Sequence, residues 1–295
     1  MMPTKTVLGA GIYDLPASLY HADPCHEPSL SSSIAKLICL SSPAHARQAH
    51  PRLNPAAVPD EAEHFDIGTA AHAVLLEGKD AVEIIDAKDW RTNAAKDARD
   101  AARAAARVPL LAKTWDDVRA MVAAARAQLD CHTDGGAQMF TDGEPERTLI
   151  WEDDGVWCRA RLDWLRPQND RLFPCACDDY KSTSASANPD TWTRTMFSNG
   201  FDLQAAWYLR GLKRLTGHDA TFRFCVQETY PPFALSVIAL GPDALVIAEK
   251  KCLYALEVWR ECQQAGTWPT YAHRTCYASM PPWHEEWWLE RELRG

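Results

Sequence analysis

Alternating apolar and polar positions mark the middle of the chain, in the segment RTLIWEDDGVWCRARLDWL. Two such runs meet at Asp154-Gly155, a dipeptide that favours the tight turn of a β-hairpin. The segment FPCACDDYKS predicts a third strand, and TFRFCVQETY with FALSVIAL predicts a second strand pair. The pattern therefore predicts a sheet built from the second half of the chain.

Segments with the apolar spacing of helices precede, separate and follow these strands in the sequence. Ser31 to Ser33 predicts one capped helix start, Ser42-Pro43 predicts a second, and Thr69 is expected to cap a short helix that Gly78 ends. Further helices are predicted at Thr92–Arg107, after Thr114, at Asp202–Leu215 and from about Pro242 to Gln264. This order indicates the α/β class, with a central mixed β-sheet flanked by helices and a helical N-terminal elaboration.

Composition narrows the class without deciding the function. The chain has 295 residues, 46% hydrophobic and 24% charged, and no apolar run approaches the roughly 20 residues of a membrane helix. The start contains no export signal, so we expect a cytoplasmic protein with no membrane association. A net charge of -9 argues mildly against coating DNA through bulk positive charge, although carboxylates that hold a metal would add to that number.

Cysteine and histidine spacing argues against two other metal centres. The ten cysteines are scattered without a CxxC, which favours reduced and mostly buried thiols. Six of the ten histidines lie in the first 72 residues, but their spacing fits no zinc motif. We therefore predict no zinc site.

Four short motifs carry the chemistry. They are Gly68-Thr69-Ala70-Ala71-His72, Arg161-Leu162-Asp163, Asp179-Tyr180-Lys181, and Gln204 with Tyr208. Carboxylates on neighbouring strands suit a hard divalent cation, and phosphodiester cleavage needs such a cation to offset charge and activate water. Asp179 and Lys181 share a strand face, so the lysine can orient the water or stabilise developing charge. Gln204 and Tyr208, four apart, share a helix face.

Each motif alone has a plainer interpretation. A lone DxK is usually a solvated strand end, and a lone histidine in position 72 is more often a satisfied core residue. Gln204 and Tyr208 alone would be an ordinary helix face. Their order along the chain, with the hairpin before DYK and the helix after it, favours a DNA nuclease.

The order GTAxH, RxD, DYKS and QxxxY resembles that of the RecB-like PD-(D/E)xK nucleases. Tyr20-His21 followed by PSLSSSIAKLICLSSPAHAR is similar to the opening of the exonuclease VIII (RecE-type) C-terminal nuclease domain. The resemblance implies a restriction-endonuclease-like core, with residues 1–60 as an N-terminal helical segment packed on a nuclease domain at 61–295. It also implies Mg²⁺, with Mn²⁺ as a substitute, and 5′-to-3′ hydrolysis of double-stranded DNA ends.

The same resemblance implies roles and partners. His72, Asp163 and Asp179 would be metal ligands, with the Tyr180 backbone carbonyl as a further one, and Asp163, Asp179 and Lys181 would be catalytic. Support for substrate or site is implied for four residues: Gln204, Tyr208, Arg161 and Ser182. Phage or prophage recombination or DNA repair, a single-strand annealing protein of the RecT type and a ring-like homo-oligomer are implied as well. Some relatives hold an iron–sulfur cluster through closely spaced C-terminal cysteines, but the wide spacing of Cys252, Cys262 and Cys276 predicts none here.

Either of two adjacent acids, Asp178 or Asp179, could be the metal-binding acid of the motif, because Asp178 occupies a position where relatives have an apolar residue. Alternation places Cys175, Cys177, Asp179 and Lys181 on one face and Ala176, Asp178 and Tyr180 on the other. This favours Asp179, while a β-bulge at the pair would make Asp178 the ligand. We expect Asp179→Asn to abolish cleavage, and Asp178→Asn to keep most activity with at worst a modest stability cost.

Other interpretations stay open at this stage. The chain could be a catalytically silent DNA-binding or assembly protein of the same fold, an endonuclease, or a single-strand nuclease. Lys96, Arg99, Arg103 and Arg107 form one helical stripe, here named the basic stripe, which is either a phosphate-contacting face or a solvated face paired with neighbouring acids. Trp283, Trp287 and Trp288 could stack on bases or join a subunit interface, but packing of a terminal helix is favoured.

Overall fold

The computed structural model describes residues 7–56, 67–166 and 175–294. Its strands are β1 Gly11–Asp14, β2 Leu30–Ser31, β3 Val82–Ile85, β4 Val108–Leu111, β5 Glu144–Asp153, β6 Val156–Arg166, β7 Ala176–Thr183, β8 Thr221–Glu228 and β9 Leu235–Ile238. Its helices are α1 Ala17–His21, α2 Ser32–Leu40, α3 Pro43–Ala49, α4 Ile67–Glu77, α5 Asn93–Ala104, α6 Trp115–Asp130, α7 Pro189–Ser198, α8 Phe201–Thr216, α9 Pro242–Ala265 and α10 Pro282–Leu293. The domain boundary expected near residue 60 lies outside the described residues.

The central sheet is mixed, as predicted. Its strand order is β1-β5-β6-β7-β8-β9, with β2 added to β6. The pairs β7–β8 and β2–β6 are parallel and the other neighbours are antiparallel. Strands β3 and β4 form a separate parallel pair.

The predicted hairpin forms with a two-residue turn. Asp153 faces Val156 in the β5–β6 ladder, and Asp154 and Gly155 both have positive φ, 50° and 81°. Positive φ at both central positions is the geometry that matches the natural twist of paired strands. The turn therefore sets a register that runs the whole length of both strands.

Helices cover both faces of the sheet and enclose two cores. Helices α2, α8 and α9 lie on one face, where Trp151, Trp207 and Trp259 are fully buried. On the other face lie α4 and α6, and the core there includes Met121 of α6 and Phe140. The predicted class, a mixed sheet flanked by helices, is confirmed.

The N-terminal segment is tied to β6 through the buried carboxylate of Asp23. This carboxylate accepts hydrogen bonds from the backbone N–H and hydroxyl of Ser29 at 3.0 and 2.7 Å, and it lies 3.3 Å from Arg159 and 3.4 Å from His50. Burial alone would raise the pKa of Asp23. The hydrogen bond from His50, the charge of Arg159 and the bonds from Ser29 outweigh burial and hold that pKa well below its usual range.

Two local expectations are wrong. Helix α4 already includes Ile67, so Thr69 lies within its first turn instead of capping it. Helix α10 buries none of its residues, and Trp283, Trp287 and Trp288 are 69%, 52% and 49% exposed, so the terminal helix does not pack as expected. None of the helices in the described ranges is long and apolar enough to span a bilayer.

Candidate active site

The site lies at a fork in the sheet. Among the described residues, strands β6 and β7 pair from Arg166↔Ala176 to Trp164↔Asp178. The next residue on each side is an acid, Asp163 on β6 and Asp179 on β7. Past the fork the Tyr180 backbone N–H donates to Asp163 Oδ2 at 2.9 Å. The fork therefore places one carboxylate from each strand at the same opening.

Two side chains hold the Asp179 carboxylate. It is fully buried, it forms an ion pair with Lys181, and its Oδ1 accepts a 2.7 Å hydrogen bond from the Gln204 side-chain amide. Gln204 also donates to the Tyr208 hydroxyl at 3.2 Å. Apart from the ion-pair contact, Asp179 Oδ2 accepts no hydrogen bond among the described residues. One carboxylate oxygen thus keeps a lone pair for a further partner.

Helix α4 brings His72 to the other side of the fork. Ala70 and Ala71 are fully buried, and these small side chains let the helix lie close to β7. His72 Nε2 lies 3.3 Å from Asp163 Oδ2 and 3.9 Å from Glu146 Oε1. Donor atoms of His72, Glu146 and Asp163 all lie within 4.8 Å of one another, a grouping that could hold a metal ion.

Glu146 is the site residue that the sequence analysis missed. It stands on β5 opposite Asp163, between the pairs Pro145↔Trp164 and Arg147↔Leu162, and its φ of 55° interrupts the ladder there. Arg161 Nε donates to its carboxylate at 2.5 Å, and Arg161 Nη1 donates to the Leu15 carbonyl at 2.6 Å, so the arginine fixes the glutamate in place. Counting back from the Asp154-Gly155 turn along a regular hairpin would have found it.

Several carboxylates lie close together at the fork, and their mutual repulsion and burial shift the pKa values of the site. Burial, with the nearby charge of Asp163, raises the pKa of Asp179 to about 7. Burial and Asp163 also raise the pKa of Glu146. Burial opposes a charge on His72, but Asp163 and Glu146 outweigh it and raise its pKa to about 9. These carboxylates therefore favour a cation between them.

The donor set fits a divalent cation. Carboxylate oxygens are the ligands that Mg²⁺ and Mn²⁺ prefer, and an imidazole can join them once it is neutral. Asp163, Glu146 and His72 supply such donors within 4.8 Å of one another. Asp179 lies outside that grouping, and its Oδ2 contacts the Lys181 ammonium, so its predicted role as a metal ligand stays a prediction.

Asp178 lies on the opposite face of β7 from Asp179. The strand pairs with β8 in unbroken parallel register from Ala176 to Thr183, so no bulge shifts the pair. Asp178 is 1% exposed and receives two hydrogen bonds from the Arg223 guanidinium, at 2.7 and 3.0 Å. Its carboxylate is already fully engaged, away from the fork.

The remaining predicted residues lie further out. Ser182 is exposed, and as the neighbour of Lys181 it points to the other side of the strand. In the basic stripe, Arg99 and Arg103 contact Asp100. Helix α5 ends at Ala104, so Arg107 lies beyond it, where it forms an ion pair with Glu83. Lys96 is exposed. The stripe is therefore partly neutralised by its own neighbours, and its contact with DNA stays a prediction.

An acid on each arm of a forked mixed sheet, with a lysine two residues after the second acid, defines the PD-(D/E)xK class of proteins. The family model described as "PDDEXK-like domain of unknown function (DUF3799)" matches residues 31–280. The chain belongs to this family.

One solved structure supports the fold independently. It is the crystal structure of a "Putative exonuclease" from Eubacterium rectale, which matches with a TM-score of 0.57 at 11% identity over 91% of this chain and 97% of that chain. At this identity the similarity concerns the fold alone. No curated protein matches the chain.

Proposed function

We propose that this protein is a metal-dependent deoxyribonuclease that hydrolyses double-stranded DNA from its ends. The observation that carries the proposal is the fork, where Asp163 and Asp179 meet Lys181 and His72. Attack at ends and 5′-to-3′ polarity rest on the resemblance to exonuclease VIII. So do a role in phage-type recombination or repair, an annealing partner of the RecT type, a homo-oligomer and a cytoplasmic location.

In the proposed site Asp163, Glu146 and His72 would hold a divalent cation. The resemblance adds Asp179 and the Tyr180 carbonyl as further ligands. A bound Mg²⁺, or Mn²⁺ in its place, supplies positive charge against the phosphate and lowers the pKa of a water molecule. Gln204 fixes the orientation of the Asp179 carboxylate through its 2.7 Å hydrogen bond.

Lys181 has the position of a group that acts on the substrate. Its ammonium contacts Asp179, and its side chain is 22% exposed, so the ammonium can reach a phosphate that enters the fork. The charges of Asp179 and Asp163 outweigh burial and raise its pKa, which keeps it protonated at neutral pH. A protonated lysine can donate hydrogen bonds to the attacking water and to the negative charge that develops on the phosphate.

Linear and circular substrates separate the proposal from its alternatives. We expect the protein with Mg²⁺ to degrade a linear duplex, to leave a covalently closed circle intact, and to stop when EDTA is added. Duplexes labelled at either the 5′ or the 3′ end report polarity, and early release of the 5′ label is expected. Nicking of the circle would indicate an endonuclease, preference for unpaired DNA a single-strand nuclease, and binding without cleavage a catalytically silent protein.

A further inference from the structure

A second lysine, Lys36, faces the same cleft from the N-terminal segment. Strand β5 occupies one edge of β6 over its length, so β2, which pairs with Cys158 and Arg159, lies on the edge that β7 leaves at the fork. Helix α2 begins directly after β2, and Ser31 caps it by accepting a 3.4 Å hydrogen bond from the Ile34 N–H. Lys36 lies one turn into this helix.

Lys36 and Lys181 converge on one aromatic ring. The Lys36 ammonium lies 5.2 Å from the centre of the Phe201 ring, and the Lys181 ammonium lies 5.4 Å from the same centre. The stem of Lys36 runs against Gly200, where an added Cβ would come within 3.0 Å of its Cδ. Gly200 also has a φ of 65°, so this position favours glycine and leaves room for the lysine.

The two lysines differ in their partners. Lys181 has the Asp179 carboxylate, whereas no carboxylate of the described residues lies within ion-pair distance of Lys36. Burial and the charge of Lys181 lower the pKa of Lys36, and Asp179 only partly offsets them. It costs free energy to hold the half-buried Lys36 ammonium beside the Lys181 ammonium without a carboxylate partner. An anion that enters the cleft would offset this cost.

We propose that Lys36 binds a phosphate of the substrate other than the one that is cut. This inference rests on the proposed nuclease function and assigns Lys181 to the scissile phosphate and Lys36 to a second one on the same strand. The second phosphate is either an internal phosphodiester or the terminal phosphate, since both offer the same anionic oxygens. The plainer alternative is that Lys36 only packs its stem, as long charged side chains often do.

The test compares Lys36→Met, which keeps the stem but removes the charge, with Lys36→Arg, which keeps the charge. Lys213→Met is a matched control, because Lys213 is an exposed lysine on α8, about 13 Å along the helix axis from Gln204. Affinity for a linear duplex is measured by fluorescence anisotropy in EDTA at several salt concentrations, and steady-state cleavage is measured with Mg²⁺. Duplexes with 5′-phosphate and with 5′-hydroxyl ends are compared, and thermal melting checks that each variant is folded.

We expect Lys36→Met to weaken duplex binding and raise KM by about tenfold with little change in kcat. A contact of equal strength in the bound ground state and the transition state affects only KM. The slope of log affinity against log salt should fall by about one, the loss of one phosphate contact, and Lys36→Arg should restore it. Lys213→Met should match the wild type.

The two DNA ends identify the phosphate. An equal loss for phosphate and hydroxyl ends identifies an internal phosphodiester, and a loss confined to the phosphate end identifies the terminal phosphate. Unchanged affinity and salt slope in folded Lys36→Met, or Lys36→Arg behaving like Lys36→Met, would overturn the proposal. Failure of the wild type to cleave any DNA would instead refute the nuclease function itself.

Discussion

The adjacent acids Asp178 and Asp179 give opposite predictions for the same substitution. Asp179→Asn keeps the shape of the side chain but removes a charge from the fork. It should lower kcat by about three orders of magnitude, equivalent to about 4 kcal/mol of lost transition-state stabilisation. Burial and the charge of Asp163 disfavour the charged form of Asp179 despite its contacts with Lys181 and Gln204, and they raise its pKa to about 7. We therefore expect the neutral variant to be at least as stable as the wild type in the absence of metal.

Asp178→Asn should instead keep most of the activity and lower the stability. Asp178 is 1% exposed and bound twice by Arg223, so its neutralisation leaves a poorly compensated guanidinium in the protein. Removing one partner of such a pair costs about 3 to 5 kcal/mol, and Asn keeps one acceptor, so we expect about 3 kcal/mol. This exceeds the modest cost expected from the sequence, because the sequence did not reveal Arg223 as the partner.

The assay combines urea unfolding with Mg²⁺-dependent DNA cleavage below the melting range of both variants. Asp178→Asn should retain most of the wild-type kcat, and the double variant Asp178→Asn with Arg223→Leu should lose less stability than the two single losses combined, because no charge is then left unpaired. An inactive but folded Asp178→Asn together with an active Asp179→Asn would refute the assignment of the two faces.

Three further perturbations test separate parts of the structure. Lys181→Ala should lower kcat by about 10²- to 10³-fold while DNA and Mg²⁺ binding persist, and near-normal turnover would contradict its proposed role. Changing the three arginines of the basic stripe to Glu should weaken duplex binding and flatten its salt dependence, whereas an unchanged slope in a folded variant would leave the stripe a solvated face. Asp23→Asn should lower the free energy of unfolding near neutral pH. Because the folded pKa of Asp23 is depressed, this loss should shrink as the pH falls below about 4, and a pH-independent loss would contradict the ion-pair explanation.

Much of the fold follows from local signals. The Asp154-Gly155 turn, the alternation along β5 to β7 and the periodicity of α8 and α9 each specify an element through nearby residues. Strands β1 and β2 were not predicted, because strands of four and two residues carry too little alternation to be recognised. Their place in the sheet depends on edges that only the folded β5 and β6 provide.

The site was predictable where its residues share one element. Asp179 with Lys181, and Gln204 with Tyr208, are related by the repeat of a strand or a helix. Glu146 was not predicted, because a positive φ interrupts its strand and the predicted hairpin began one residue later, at Arg147. Lys36 was not predicted as a site residue, because no sequence signal near it indicates which face of its helix lies against the fork.

The dependence of DNA hydrolysis on Mg²⁺ at the fork tests the central claim most directly. The measurement is the initial rate of nucleotide release from a uniformly labelled linear duplex across a Mg²⁺ titration, for the wild type, Asp163→Asn and Glu146→Gln. We predict saturable release by the wild type and none above background for Asp163→Asn. For Glu146→Gln we predict release that needs about tenfold more Mg²⁺, the scale typical of weakened metal ligation. Release that is independent of divalent metal, or equal in all three proteins, would contradict a metal-dependent nuclease at this site.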